Sequence, residues 1–169
     1  PRALVVVPDF HNPLGRSLDD AARDRVVALA REAGAALVED DPYSLLRFAG
    51  SETSPLLRRA PERTVYLGSF SKLVAPALRA GWLIAPPGLT DKLRVIKESV
   101  DLETSALIQR TLARFLDGGY LDEHLAFVRQ TYQERCALMQ EALAAHFPAG
   151  SRWTRPEGGM FIWAELPEG

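Results

Sequence analysis

Short apolar runs alternate with helical spacing along the first half of this chain, and this alternation constrains the fold more than any other feature. The runs at residues 3–7, 35–38 and 64–67 are short and apolar, as expected of strands that are buried on both faces. Between the first two runs, apolar residues recur at helical spacing, with Ser17 as the predicted N-cap and Gly34 as the stop. The pattern predicts an α/β fold with a three-layer, mainly parallel sheet.

The pattern changes after two adjacent glycines, Gly118 and Gly119. Before them, residues 81–85 predict a fourth strand, and two helices follow it. Beyond them, apolar residues keep helical spacing over a long stretch, and a predicted hairpin follows. We therefore predict two domains. Residues 1–118 form part of a large domain, and residues 119–169 form a long connecting helix and the beginning of a smaller α+β C-terminal domain.

Charge and composition exclude several classes of function. The chain has 169 residues and a net charge of −2, so it lacks the electrostatic signature of a protein that binds nucleic acid or an acidic membrane surface. No apolar run is long enough for a membrane-spanning helix. The single cysteine, Cys136, rules out an internal disulfide and fits a reducing compartment, so we expect a cytoplasmic protein. Because the chain begins at Pro1 rather than at a methionine, we expect an internal piece of a longer protein.

Three polar segments directly follow the three apolar runs. They are HNPLG after the first run, EDDPY after the second and GSFSK after the third. In α/β sheets, ligands bind in a crevice outside the carboxyl ends of the parallel strands. We therefore expect five side chains to face one crevice: Asn12, Asp40, Tyr43, Ser69 and Lys72.

Lys72 is the residue whose chemistry best separates the possible functions. The chain has three lysines and seventeen arginines, and arginine is the usual choice for a structural ion pair. A plain ion pair between Lys72 and an aspartate is one interpretation. A partly desolvated lysine amine can instead form a Schiff base with a carbonyl group. Ser69 and Arg79, on either side of the lysine, would then clamp a phosphate, and a carbonyl cofactor that bears a phosphate is pyridoxal 5'-phosphate.

The other crevice residues suit the same cofactor. Asp40 can keep the pyridine nitrogen protonated, so that the ring accepts electrons from the substrate. Asn12 and Tyr43 can donate hydrogen bonds to the phenolate oxygen of the ring, which lowers the basicity of the Schiff base. The residues of the crevice thus predict a pyridoxal phosphate site.

The motifs NPLG, EDDPY and SFSKLVAPALRAGW, in this order and spacing, resemble those of fold-type I pyridoxal phosphate enzymes of the class I/II aminotransferase family. The resemblance extends over essentially the whole chain and is closest to the α-aminoadipate/kynurenine aminotransferase type. It implies the large-domain fold of these enzymes, a homodimeric subunit and Lys72 as the catalytic residue. It also implies six cofactor-binding residues: Asn12, Asp40, Tyr43, Ser69, Lys72 and Arg79.

The resemblance further implies a ping-pong transamination between an L-amino acid and a 2-oxo acid. In that reaction an amino acid displaces Lys72 from the cofactor, and the freed amine then moves a proton from the substrate Cα. The arginine that binds the substrate carboxylate in the family, and the family's phosphate loop, are expected outside residues 1–169. We therefore expect this piece to be inactive by itself.

Two alternative functions stay open. The same fold hosts lyases, and the fold does not choose among these reactions. Some transcription regulators fuse a winged-helix DNA-binding domain to an aminotransferase-like domain that senses a ligand, although they often carry E-D-D-Y-D where this chain has EDDPYS. No nucleic-acid contact is expected from this segment. No metal site is expected either, because Asp40 and Asp41 lack further ligands at a suitable spacing.

Overall fold

A four-stranded sheet forms the centre of the molecule in the computed structural model, which describes residues 2–168. Its strands are β1 (Ala3–Val6), β2 (Ala36–Asp41), β3 (Thr64–Ser69) and β4 (Gly81–Ile84), and they lie in sequence order. The first three strands are parallel, and β4 pairs antiparallel with β3. Strands at all four predicted positions, in a mainly parallel sheet, are thus present.

The helices are α1 (Asp20–Glu32), α2 (Leu56–Arg59), α3 (Phe70–Leu73), α4 (Pro87–Val100), α5 (Ala106–Asp117) and α6 (Tyr120–His146). Four of them, α1, α4, α5 and α6, occupy stretches where apolar residues recur at helical spacing, and two short helices, α2 and α3, lie beside the sheet. Single 3₁₀ turns lie at Ser44–Leu46 and Pro76–Leu78, and a short hairpin joins β5 (Arg152–Trp153) to β6 (Ala164–Glu165). Within residues 2–168, no helix combines the length and apolarity needed to cross a membrane.

Helices α1 and α2 cover one face of the sheet. Val27 and Ala30 from α1 pack with Leu37 from β2 and with Leu56 and Ala60 from the α2 region. Together they form an apolar core in which every one of these side chains is buried, so burial on this face stabilises the sheet.

The N-terminus of α1 differs from the prediction that Ser17 is its cap. The N-cap is Asp19, whose Oδ1 accepts a hydrogen bond from the Ala22 N–H at 2.7 Å. The hydroxyl of Ser17 instead accepts from the Phe10 N–H at 3.0 Å and so stabilises the preceding loop. Two residues beyond the last residue of the helix, Gly34 adopts φ +59°, as predicted for its C-terminal stop.

The opposite face of the sheet is largely open, so the prediction that the first strand is buried on both faces is wrong. Side chains alternate across a strand, and the partly buried Leu4 and Val6 pack against the core under α1 and α2. Val5 points to the other face and is 72% exposed, and Leu83 of β4, which lies on the same face by its register, is also exposed. Both helices that connect the parallel strands lie on the same side, which leaves the second face uncovered.

A second apolar cluster lies at the carboxyl ends of the strands. It contains Phe10, Tyr43, Leu46 and Leu73, from three segments of the chain, and Leu125 of helix α6. Helix α6 therefore packs against the same edge of the sheet from which the polar loops emerge.

The turn at residues 157–159 docks on this cluster. The backbone N–H groups of Phe48 and Ala49 both donate to the Glu157 carbonyl, at 2.9 and 3.0 Å. A Cβ at Gly158 or Gly159 would lie 2.3 or 2.4 Å from the Phe10 side chain, so only glycine allows this approach. The predicted division into domains near Gly119 stays a prediction.

Candidate active site

The carboxyl ends of the parallel strands bring the predicted segments to one edge. In the register of β2 and β3, Asp40 pairs with Leu67 and Asp41 pairs with Gly68. Both strands extend further than predicted, because the backbone ladder continues through the acidic stretch to Asp41 and through Ser69. Asp40 and Ser69 are therefore strand residues, which fixes their directions more firmly than a loop would.

Glu39 and Asp41 point away from Asp40 and serve as buried caps. Glu39 is fully buried and accepts from the Leu56 and Leu57 N–H groups at 2.9 and 2.8 Å, at the start of α2. Asp41 accepts from the Ser44 N–H at 2.8 Å and, through its other oxygen, from the Tyr66 hydroxyl at 2.7 Å. Both carboxylates therefore cap backbone N–H groups and are buried rather than solvated.

Asp40 lies half-buried on the other side of β2. Among residues 2–168, no hydrogen bond or salt bridge joins its carboxylate to another side chain. Burial raises the pKa of Asp40 above its usual value, and the neighbouring charge of Asp41 raises it further. A half-buried carboxylate in this position is suited to a cationic N–H group brought by a ligand.

Asn12 and Tyr43 come together beside Asp40. Tyr43 is buried, whereas Asn12 lies exposed in the loop after β1. Burial raises the pKa of the Tyr43 phenol, the side chain of Asn12 counteracts this, and the charge of Asp40 adds to the increase. The Asn12 side chain lies close enough to the Tyr43 hydroxyl to influence its pKa, and the amide and the hydroxyl are both potential donors to a third partner.

Ser69, Lys72 and Arg79 form a second group at the β3–β4 corner. The Ser69 hydroxyl caps α3 by accepting from the Ser71 N–H at 3.2 Å. Lys72 is exposed on α3, next to Leu73, which packs in the same cluster as Tyr43. Pairing of Ser69 with Gly81 brings the preceding Arg79 back towards the same corner.

Both cations of this corner are available. Among residues 2–168, neither Lys72 nor Arg79 forms a salt bridge, so the interpretation of Lys72 as half of a plain ion pair finds no support. Arg79 makes one long backbone contact, in which its Nη1 donates to the Pro76 carbonyl at 3.3 Å. The roles of the six predicted residues towards a cofactor stay predictions.

The backbone conformation also marks this edge as unusual. Phe10 and Arg79 adopt φ values of +47° and +49°, and they are the only non-glycine residues with positive φ in residues 2–168. Such conformations cost free energy and concentrate at functional sites. At the same corner, a Cβ on Gly68 would lie 2.2 Å from the Trp82 ring, so glycine is required there. The loops around Asn12 and Lys72 are thus held in conformations that the sequence alone disfavours.

Two features of the site escaped sequence reasoning. Asp9 accepts from Arg23 Nη2 at 2.7 Å and from Arg47 Nη2 at 3.0 Å, which forms a buried ionic network under the Asn12 loop. Phe161 meets the Tyr43 ring edge-on, with 5.7 Å between the ring centroids. The sequence did contain a signal for this network, because Arg23 lies on the same face of the helix as the apolar residues Val27 and Ala30.

Within residues 2–168 no group of His, Cys, Asp or Glu side chains is arranged to hold a metal ion.

These elements define a protein of the α/β class with a polar, lysine-containing site at the carboxyl edge of its sheet. The sequence matches the family of class I and II aminotransferases over residues 1–169, and the chain belongs to this family. It is 41% identical to aromatic-amino-acid aminotransferase 1 of Thermococcus litoralis, over 99% of this chain and 40% of that protein.

Solved structures show the same likeness. Kynurenine aminotransferase of Pyrococcus horikoshii superposes with a TM-score of 0.95 at 41% identity, over 99% of this chain and 42% of that chain. The α-aminoadipate aminotransferase of Thermus thermophilus was solved with N-(5'-phosphopyridoxyl)-L-leucine. It superposes with a TM-score of 0.92 at 39% identity, over 100% of this chain and 44% of that chain. The likeness confirms the predicted fold class and the resemblance to these two types of aminotransferase. The chain spans less than half the length of these relatives.

Regulators are also among the relatives. An uncharacterised HTH-type transcriptional regulator of Bacillus subtilis is 35% identical over 161 residues, which cover 95% of this chain and 33% of the regulator. The relatives of this chain thus include both aminotransferases and transcription regulators.

Proposed function

We propose that this chain is the cofactor-binding part of a pyridoxal phosphate-dependent aminotransferase, which moves an amino group between an L-amino acid and a 2-oxo acid. The observation that carries the proposal is the convergence at one sheet edge of an unpaired lysine, an unpaired half-buried carboxylate and the Asn12–Tyr43 pair. The aminotransferase relatives at about 40% identity support the same reaction.

The donor set of the site fits pyridoxal phosphate. Among residues 2–168 no cationic side chain pairs with Asp40, and a pyridinium N–H would be such a partner. Arg79 and Ser69 offer a guanidinium and a hydroxyl at the opposite corner, as a phosphate requires. Bound there, the cofactor supplies a carbonyl that an amine can attack and a ring that accepts an electron pair.

The side chains of the chain then have distinct tasks. With the cofactor bound, the Lys72 amine would hold it, and the same amine would serve as the base that takes a proton from the substrate Cα. Asp40 would hold the proton on the ring nitrogen. Asn12 and Tyr43 would donate hydrogen bonds to the phenolate oxygen of the ring. Phe161 lies against Tyr43, where its ring limits the access of water.

Spectroscopy of the intact protein tests the proposal. With pyridoxal phosphate it should show a visible absorption band, and Lys72→Ala should abolish that band and lower activity by at least about a hundredfold. Lys92→Ala, which changes an exposed lysine of α4, is the matched control and should leave the band intact. Absence of a band from the unmodified protein under all conditions would refute the cofactor assignment.

A ligand-sensing role in a transcription regulator is the second candidate, because HTH-type regulators are among the relatives. Amino acids added one at a time to the intact protein separate the two functions. Conversion of the visible band to that of the amine form of the cofactor supports transamination. A band that persists with every amino acid tested favours the sensor.

We also propose that the full subunit is a homodimer in the cytoplasm. Helix α4 supports the dimer, since it contains no buried residue and exposes Val95, Ile96 and Val100. Exposed apolar patches of this kind mark contact surfaces. The single cysteine is compatible with a reducing compartment. Sedimentation analysis of the intact protein tests the dimer.

A further inference from the structure

Asp9 joins three segments that lie far apart in sequence. Its Oδ2 pairs with Arg23 of α1 at 2.7 Å, and its Oδ1 pairs with Arg47 at 3.0 Å. Thr53 Oγ1 lies 3.5 Å from the same Oδ1, and Arg47 continues through Nη1 to Glu157 at 3.2 Å. Asp9 and Arg23 are buried, so the charges that face Asp9 are two guanidiniums, with the carboxylate of Glu157 behind one of them.

One arm of this network holds the loop that carries Asn12. Arg23 donates to the backbone at both ends of that loop, to the Leu18 carbonyl at 3.0 Å and to the Pro8 carbonyl at 3.4 Å. The Leu18 N–H in turn donates to the Pro8 carbonyl at 2.8 Å. Arg23 thus closes the base of the loop. Asp9, its ion-pair partner, lies three residues before Asn12 in the same loop.

The other arm holds the turn that carries Tyr43. The Leu46 N–H donates to the Tyr43 carbonyl at 2.8 Å, and Arg47 ends the same 3₁₀ turn by donating to the Ser44 carbonyl at 3.2 Å. The Arg47 guanidinium also lies 4.6 Å above the ring of Phe10, the residue after Asp9. Because Phe10 and Tyr43 pack in one cluster, Arg47 connects the two loops by charge and by packing.

We propose that the Asp9–Arg47 ion pair is a positioning device that sets the separation of the Asn12 and Tyr43 donors. The inference rests on the proposed function, in which these two side chains share the phenolate oxygen of the cofactor. Arg23 fixes Asp9 from the helix side, and Arg47 links it to the Tyr43 turn. Neither arginine touches the reacting atoms, and both act through the geometry of the two donors.

The device has a spectroscopic consequence. Hydrogen bonds to the phenolate oxygen favour its anionic form and lower the pH at which the lysine-bound cofactor takes up a proton. If the two donors separate, that pH midpoint rises. A general loss of stability would not move the midpoint of a protein that remains folded.

Arg47→Gln in the intact protein, loaded with pyridoxal phosphate, tests this directly. The pH midpoint of the visible band should rise by about one unit, the size expected when one hydrogen bond to a charged oxygen is weakened. The dissociation constant of the cofactor should increase by about three- to tenfold. Glu157→Gln is the matched control, since it removes only the exposed end of the network and should titrate as the unmodified protein.

Arg47→Lys provides the rescue. It restores a charge against Asp9 and should return the midpoint part of the way towards that of the unmodified protein. An unchanged midpoint in folded Arg47→Gln overturns the proposal, as does a midpoint that moves equally in Glu157→Gln.

A readout without cofactor separates this proposal from the assignment of the cofactor. Amide hydrogen exchange at Leu18 and Gly15, whose N–H groups close the Asn12 loop, should accelerate in Arg47→Gln and not in Glu157→Gln. If the band is absent from the unmodified protein but exchange accelerates, the cofactor assignment fails and the link between the loops stands. If exchange is unchanged in Arg47→Gln, the positioning role is refuted.

Discussion

The two faces of the central sheet differ in what covers them. On the face of α1 and α2, even charged side chains are fully buried, and Arg23 and Glu39 have hydrogen-bond partners there. On the opposite face Val5 is 72% exposed, and away from the sheet apolar side chains of α4 and of the segment after it also remain in solvent. Val100 of α4 is 79% exposed and Leu102, just beyond it, is 88% exposed.

The difference shows which part of the molecule is complete within this chain. A buried arginine is tolerated only where its desolvation is offset by a carboxylate and carbonyls, so the α1 face supplies its own partners. Exposed apolar residues at this density are expected where another surface covers them. The free energy of unfolding should therefore depend mainly on the covered face. The exposed apolar residues should matter for the association of subunits.

Removing the buried charge of Arg23 should have the largest effect on stability. Arg23→Met leaves Asp9 buried with one cation fewer and opens the base of the Asn12 loop. Breaking such a pair typically costs about 3–5 kcal/mol of the free energy of unfolding. Urea denaturation of the intact protein measures the loss.

Arg31→Met is the control for this change. It lies in the same helix but pairs with Glu62 at 3.7 Å with both side chains half exposed, so it should cost less than about 1 kcal/mol. If the two variants lost the same free energy of unfolding, the buried charge of Arg23 would contribute no more to stability than an exposed one.

Titration of Glu39 should give a smaller, pH-dependent effect on the same face. Burial raises the pKa of Glu39 above its ordinary value of 4.5, and the hydrogen bonds from Leu56 and Leu57 only partly counteract this. The native state therefore binds the Glu39 proton more tightly than the unfolded state. This contribution to stability is complete below pH 4.5 and is lost as the pH rises through the native pKa.

Glu39→Gln should remove that pH dependence. Each pH unit between the native and the unfolded pKa corresponds to about 1.4 kcal/mol. The free energy of unfolding of the unmodified protein, relative to that of the variant, should therefore decrease as the pH is raised from acidic to neutral values. Denaturation at a series of pH values measures the difference. A difference that grows with pH would show that the two backbone hydrogen bonds outweigh burial.

The periodic features of this fold could be predicted from the sequence, whereas features that depend on contacts between distant residues could not. Strands and helices appeared at the predicted places because apolar spacing reports local geometry. Asn12, Asp40 and Lys72 could be assigned to one edge because the carboxyl ends of parallel strands meet there. The Asp9–Arg47 pair joins residues 38 positions apart, and no local pattern indicates such a contact.

The errors have physical causes of the same kind. The first strand is as apolar as one buried on both faces, yet Val5 is exposed because the covering depends on which segments pack against it. Strand β2 continues through an acidic stretch that propensity assigns to a loop, because pairing with β3 and buried caps outweigh that preference. Ser17 was a reasonable cap by type, but its hydroxyl is used by Phe10.

Val100, an exposed apolar residue of α4, should show the smallest effect on folding. Val100→Asp should change the free energy of unfolding of the dissociated subunit by about 0.5 kcal/mol or less, because the side chain makes few contacts within the chain. In the intact protein it should weaken self-association, since the proposed dimer would bury a carboxylate there.

Val27→Ala is the matched change on the covered face. It should lower the free energy of unfolding by about 1–3 kcal/mol without altering self-association. Sedimentation and denaturation of both variants measure the two quantities. If Val100→Asp unfolds the subunit but leaves its association unchanged, the exposed residues of α4 contribute to folding and the contrast between covered and exposed apolar residues is wrong.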